Sequence, residues 1–108
     1  MDPRRAEQLL QAIETSSLEE LRRALLKAAV RYAHMRAEWQ LAPAAERAAM
    51  DLSRGKAHDA LIDACNILSR NMATRNEDVA WRAALGNERK EIGDFACHLH
   101  ALLGVRAT

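Results

Sequence analysis

Apolar residues recur at alternating steps of three and four along most of the chain, which is the spacing of one face of an α-helix. The longest such run lies between Leu18 and Trp39, and shorter runs cover residues 57–72 and 92–102. β-branched residues are few and never alternate with polar ones, so the pattern contains no strand signal. The sequence therefore predicts an all-α fold.

Capping and stopping residues divide this pattern into five helices. Asp2 followed by Pro3 is typical of an N-cap and a first helical residue, and Ser16 or Ser17 precedes a glutamate at the spacing of a capping box. Pro43 ends the second helix because its ring disfavours a helical residue before it. The predicted helices span about residues 3–13, 17–41, 43–71, 76–85 and 88–103.

Glycines refine these boundaries. Gly55 allows a kink or a break in the third helix. Gly86 would close the fourth helix, Asn87 could cap the fifth, and Gly104 would stop it. The predicted architecture is an antiparallel helical bundle of three long helices with shorter N-terminal and connecting helices, forming one domain over residues 1–108.

Composition narrows the class of function. The chain is 49% apolar and 29% charged, with a formal net charge of only +1, so we expect neither a nucleic-acid partner nor an electrostatic membrane partner. The start "MDPRRAEQLL" lacks the apolar core of a signal peptide. Together with two thiols, Cys65 and Cys97, that we interpret as small core residues, this predicts a cytoplasmic protein.

Two segments of the C-terminal half carry a family resemblance. "RGKAHDALIDACNILSR" and "IGDFACHLH" resemble segments of small bacterial helical proteins of a domain-of-unknown-function type. The resemblance implies a bacterial origin and a helical fold. It implies no activity and no site residue.

A polar row runs along the third predicted helix. Asp59, Asp63, Asn66 and Arg70 lie opposite its apolar stripe on a helical wheel, and His58 lies at the boundary. This row is a solvated face, a contact with a neighbouring helix or partner, or a metal or catalytic site. The position of the row on the wheel favours a solvated face. Its composition points instead to a contact, because short Asp and Asn side chains are poorer in helix interiors than Glu or Gln.

A second set of polar residues lies on one flank of the last predicted helix. Glu91, Asp94 and His98 are spaced three and four residues apart. The alternative hypothesis is that these residues, together with Asp59 and Asp63, form the acidic site of a small metal-dependent hydrolase between the third and last helices. The competing interpretation is a surface ion pair between Asp94 and His98. The set is sparse for a di-metal site, so we expect no bound metal and no cofactor.

The leading hypothesis concerns a second apolar set on the second helix, opposite the first. A helix in a small bundle normally buries one stripe, and a fully central helix is hard to wrap in so short a chain. We therefore expect a non-enzymatic protein that acts through helix-mediated association, most simply as a homodimer and otherwise with another protein. The candidate interface residues are Leu26, Val30, Ala33, Ala37, Leu41, Asp59, Asp63 and Asn66.

Overall fold

The computed structural model describes residues 1–107 and confirms the all-α fold. It is 85% helical, and the described residues contain no strand. Three long helices are accompanied by a short N-terminal helix and a short connecting helix, as the sequence predicts. The helices are α1 Pro3–Glu14, α2 Glu19–Leu41, α3 Ala44–Thr74, α4 Ala80–Leu85 and α5 Arg89–Ala107.

The long helix α2 lies at the centre of the fold. Ala42 and Pro43 connect it to α3, and so short a connection makes the two helices an antiparallel hairpin. α2 also packs against α5, while α1 packs against α5 and α4. α2 thus has neighbours on two sides, although only four of its 23 residues, Leu25, Ala29, Tyr32 and Ala33, are buried.

The core forms where these helices meet. Its largest fully buried side chains come from α1, α2, α3 and α5, and include Leu10, Leu25, Leu61 and Phe95. α2 and α5 approach closely because Gly93 has no side chain. A Cβ atom there would lie 2.9 Å from the hydroxyl oxygen of Tyr32.

The first helix begins as predicted. The Asp2 side chain accepts a hydrogen bond from the Arg4 backbone N–H at 2.8 Å, and Pro3 is the first helical residue. Such a cap stabilises a helix by about 1 kcal/mol. The prediction for this N-terminus is confirmed.

The predicted capping box at α2 is wrong. Leu18 occupies the N-cap position, and no side chain caps there. Ser16 and Ser17 instead donate their hydroxyl hydrogens to the two carboxylate oxygens of Glu77, at 2.8 and 2.6 Å. These hydrogen bonds, led by those from Ser17, lower the pKa of the Glu77 carboxyl group. The serines thus fasten the α1–α2 turn to the α3–α4 turn.

Other helix boundaries differ from prediction for local reasons. α3 continues through Gly55 without a break, since one glycine costs only about 1 kcal/mol in a helix. Asn76 has a left-handed φ of 58°, so α3 ends at Thr74 and α4 begins only at Ala80. Gly86, with φ of 76°, closes α4 as predicted.

The end of α5 and its start also depart from prediction. Gly104 does not stop α5, which continues to Ala107. Arg106 in this last turn forms an ion pair with Glu14 of α1 at 3.0 Å. The side-chain oxygen of Asn87, the predicted cap of α5, accepts a hydrogen bond from Arg82 at 3.0 Å.

Candidate functional site

The most exposed part of the fold is the end of the α2–α3 hairpin. Core residues occupy α2 as far as Ala33 and α3 from Ala57 onward, and no residue from 37 to 54 is buried. We call this segment the hairpin tip. α3 is about 46 Å long at 1.5 Å per residue, and the molecule measures 48 Å along its longest axis. The hairpin tip therefore extends past the packed core.

Trp39 holds the hairpin tip together from within. The guanidinium groups of Arg54 and Arg47 lie 4.3 and 4.8 Å from the centre of its ring. Its indole N–H donates to Asp51 at 3.0 Å. Arg47 also donates to three backbone carbonyl groups at the end of α2, where a cation is favoured by the helix dipole. The inner side of the tip is thus polar and fixed.

Each helix of the hairpin tip carries exposed apolar residues on the side away from the Trp39 contacts. They are alanines and two leucines, and the leucines are strongly exposed, at 87% for Leu41 and 69% for Leu52. Those on α3 lie opposite Arg47 and Arg54 on a helical wheel, and those on α2 lie opposite Trp39. We call this set the apolar tip residues: Ala37, Leu41, Ala45, Ala48, Ala49 and Leu52.

Sequence reasoning identified only part of this set. Ala37 and Leu41 were expected at an interface, whereas the α3 members were not. The signal was present in "PAAERAAMDL", where the small residues recur at helical spacing, but no core stripe continues through it. Trp39 belongs to the predicted apolar seam, but it is only half-buried.

The predicted second stripe of α2 divides into three environments. Ala33 is buried by the chain's own helices, with 7% exposure. Leu26 and Val30 are half-buried, and Ala37 and Leu41 are exposed. Ala33 is therefore a core residue, and the exposed end of the stripe belongs to the hairpin tip. Association through this helix stays a prediction.

Most of the polar row on α3 contacts neighbouring helices. The Asn66 side-chain oxygen accepts from Arg82 at 2.8 Å, and Asp59 forms an ion pair with Arg89 at 3.1 Å. His58 is buried, and its Nε2 lies 2.8 Å from the Arg89 carbonyl oxygen. Contact with a neighbouring helix therefore describes Asn66 and His58, whereas Asp59, Asp63 and Arg70 are exposed, as in a solvated face.

The acidic set on α5 surrounds the first residue of the chain. Glu91 and Asp94 each place a carboxylate oxygen 3.3 Å from the Met1 amine. His98 Nε2 lies 2.8 Å from the Met1 carbonyl oxygen. The described residues therefore do not form the predicted Asp94–His98 ion pair. These three side chains instead hold the start of the chain against α5.

Asp94 is also the partner of Arg36 on α2, at 2.8 Å. Burial opposes ionisation of Asp94, but the hydrogen bonds from Arg36 and the chain's amine outweigh it and hold the pKa of this carboxyl group below its usual value. Asp94 is thus a carboxylate that pairs with two cations, the Arg36 guanidinium group and the Met1 amine.

The predicted metal ligands do not converge. Asp59 and Asp63 are exposed on α3, and the α5 ligands contact the Met1 residue. Within residues 1–107, no group of three or more His, Cys, Asp or Glu side chains is arranged to hold a metal ion. The hydrolase alternative therefore gains no support from the described residues.

The two cysteines have different surroundings. Cys65 is buried in the core, and burial raises the pKa of its thiol to about 11. Cys97 is half-buried, and burial raises its pKa as well. Thiols in apolar surroundings are inert, so Cys65 fits its predicted role as a small core residue.

Comparison with models of known families, with curated proteins and with solved structures finds no match to this chain. No helix of the described segment combines the length and the apolar character that a membrane span requires.

Proposed function

We propose that this protein acts through helix-mediated self-association, with the apolar tip residues of one copy packed against those of a second copy. The observation that carries the proposal is the exposure of Leu41 and Leu52 on a segment whose inner side is already fixed. Burying apolar surface contributes about 25 cal/mol per Å². An interface at the tip would therefore stabilise the dimer, because it would remove from water the apolar side chains that the isolated chain exposes.

The shape of the apolar tip residues suits a pair of helices. Alanine side chains are short, so two helix backbones can approach closely, while Leu52 provides a larger side chain to pack between them. A twofold axis makes any such surface self-complementary, since each copy presents the same residues to the other.

Charge supports an antiparallel pairing of the two tips. Glu46 and Lys56 are both exposed on α3, ten residues apart, near opposite ends of the α3 part of the apolar tip residues. Reversing one α3 against another brings opposite charges together. A parallel arrangement would place like charges side by side, which is destabilising.

The proposal takes the protein to be a cytoplasmic homodimer without enzymatic activity, in which association is the function. It places the contact at residues 37–54 and leaves the body of α2, including Val30, outside it. Another protein presenting a similar apolar helix is the second partner that the same surface could accept.

Size-exclusion chromatography with light scattering over a range of concentrations tests the proposal. The expected mass approaches twice the 12.1 kDa of one chain as concentration rises. A Leu41→Glu, Leu52→Glu double variant should remain monomeric with unchanged helical circular dichroism, because both side chains are exposed. Ala101→Glu, an exposed position on α5, is the matched control and should still associate.

Two results would contradict the proposal. One is a wild-type mass of 12.1 kDa at every concentration. The other is a dimer that persists in the double variant, and dissociation by Val30→Glu alone would then place the contact on the body of α2.

A further inference from the structure

A cleft of about 320 Å³ opens beside the hairpin tip, where α2, α3 and the first turn of α5 meet. This volume lies at the lower end of the range for small-molecule sites, which runs from about 300 to 1,000 Å³. Tyr32 and His58 line it with their rings edge to face, 5.2 Å apart. Gly55 also lines the cleft, and the space above its Cα is open.

The cleft gathers positive charge in a chain that is close to neutral. Four of its lining side chains are cationic, and Asp51 is the one carboxylate among them, although the net charge of the chain is only +1. Such a concentration of one sign in a concave surface attracts ligands of the opposite sign. The cationic residues are Arg36, Arg54, Arg89 and Lys90.

Ion pairs within the chain use only some of the hydrogen-bond donors of these cationic side chains. Arg36, Arg54 and Arg89 each have a carboxylate partner, but a guanidinium group carries five N–H donors and can bind a second anion. Lys90 forms no ion pair within residues 1–107.

Two buried polar atoms at the cleft lack partners. His58 is 96% buried, since only 4% of it is exposed. The Arg89 carbonyl can only accept, so Nε2 of His58 is the donor, and Nδ1 is buried without a hydrogen bond. Nε of Arg54 is likewise buried without a partner. Unsatisfied buried groups are costly, and an oxyanion can accept a hydrogen bond from the Nε–H of Arg54.

The first turn of α5 carries the charge that a helix start disfavours. Arg89 and Lys90 are its first two residues, and Glu91 is the acidic residue of the same turn. The positive end of the helix dipole repels the two cations. A bound anion would interact favourably with both cationic side chains and with the dipole.

We propose that this cleft binds the phosphate group of a small molecule. We favour phosphate over a carboxylate ligand for two reasons. Arginine side chains match the geometry of the phosphate oxygens. The cleft also has several cationic side chains, whereas a single carboxylate would need fewer. The site is separate from the apolar tip residues, so it does not depend on the proposed self-association.

Isothermal titration and amide chemical-shift mapping with inorganic phosphate test this site, with chloride at equal ionic strength as the reference. We expect saturable binding and shifts centred on residues 36, 54, 58 and 90. Lys90→Gln should weaken binding about tenfold, the usual effect of losing one charge-assisted hydrogen bond. Lys27→Gln removes the same charge from an exposed position of α2 outside the cleft and should bind as the wild type does.

Arg89→Gln is a second variant that should also weaken binding, and its backbone carbonyl, which contacts His58, is retained. Equal responses to phosphate and chloride would overturn the proposal, as would equal losses in the Lys90 and Lys27 variants. Binding to vesicles containing phosphatidic acid without binding to free phosphate would also overturn it, because it would indicate a surface electrostatic effect.

Discussion

The contact between α2 and α5 makes Gly93→Ala the sharpest test of the packing. The added Cβ would lie 2.9 Å from the Tyr32 hydroxyl oxygen, 3.1 Å from Cε1 of that ring and 3.2 Å from Nη1 of Arg36. Ordinary contacts begin at 3.4 Å, so the ring must move by about 0.5 Å. Tyr32 is only 5% exposed and contacts His58 edge to face, which leaves the ring little space to move.

Two opposing terms set the size of this effect. Replacing a helical glycine by alanine gains about 1 kcal/mol. Overpacking a tight site costs about 1–3 kcal/mol. The expected net result for Gly93→Ala is a loss of about 1 kcal/mol in the free energy of unfolding, or about 4 °C in melting temperature, measured by urea and thermal denaturation with circular dichroism.

A second background isolates the responsible atom. In Tyr32→Phe the hydroxyl oxygen is absent, and the next contacts are 0.2 and 0.3 Å longer. The cost of Gly93→Ala should then fall to about zero or become a gain, which a double-mutant cycle detects. A gain of about 1 kcal/mol in the wild-type background would refute the tight contact, and equal effects in both backgrounds would refute the role of the hydroxyl group.

Two further predictions concern titratable side chains. The pKa of Glu77 is lowered in the folded chain by hydrogen bonds from Ser17 and Ser16, so its stabilising effect is complete above the unfolded value of about 4.3 and is lost as pH falls through the lower folded value. Glu77→Gln should therefore lower the melting temperature at pH 7 but have little effect near pH 2, and an equal loss at both pH values would contradict this. A thiol reagent should label Cys97 and leave Cys65 unreacted until the chain unfolds, because Cys65 is buried with a pKa of about 11; equal labelling rates in the folded protein would contradict its burial.

Helices with continuous apolar stripes were predictable from the sequence, because the spacing of their apolar residues indicates which face is buried. The seam through Leu25 and Tyr32 is buried in the core, and so is the stripe through Leu61 and Leu68. Boundaries were less predictable, since they depend on partners distant in sequence. Ser16 donates a hydrogen bond to Glu77 and does not cap α2. The residues next to Ser16 in the sequence do not indicate a partner 61 residues away.

The candidate site was predictable only in part. Leu41 was identified because it continues the spacing of its own helix. Leu52 was not, since its exposure depends on where the core ends along α3. The cationic cleft could not be predicted from the sequence, because it is formed by Arg36, Arg54 and Lys90 from three different helices.

Hydrogen–deuterium exchange at low and high protein concentration tests the proposed association most directly, because it requires no substitution. The account predicts that amide exchange slows with concentration within residues 37–54, while the rest of the described chain exchanges at unchanged rates. Slowing confined to another surface, or rates independent of concentration throughout residues 37–54, would contradict self-association through the hairpin tip.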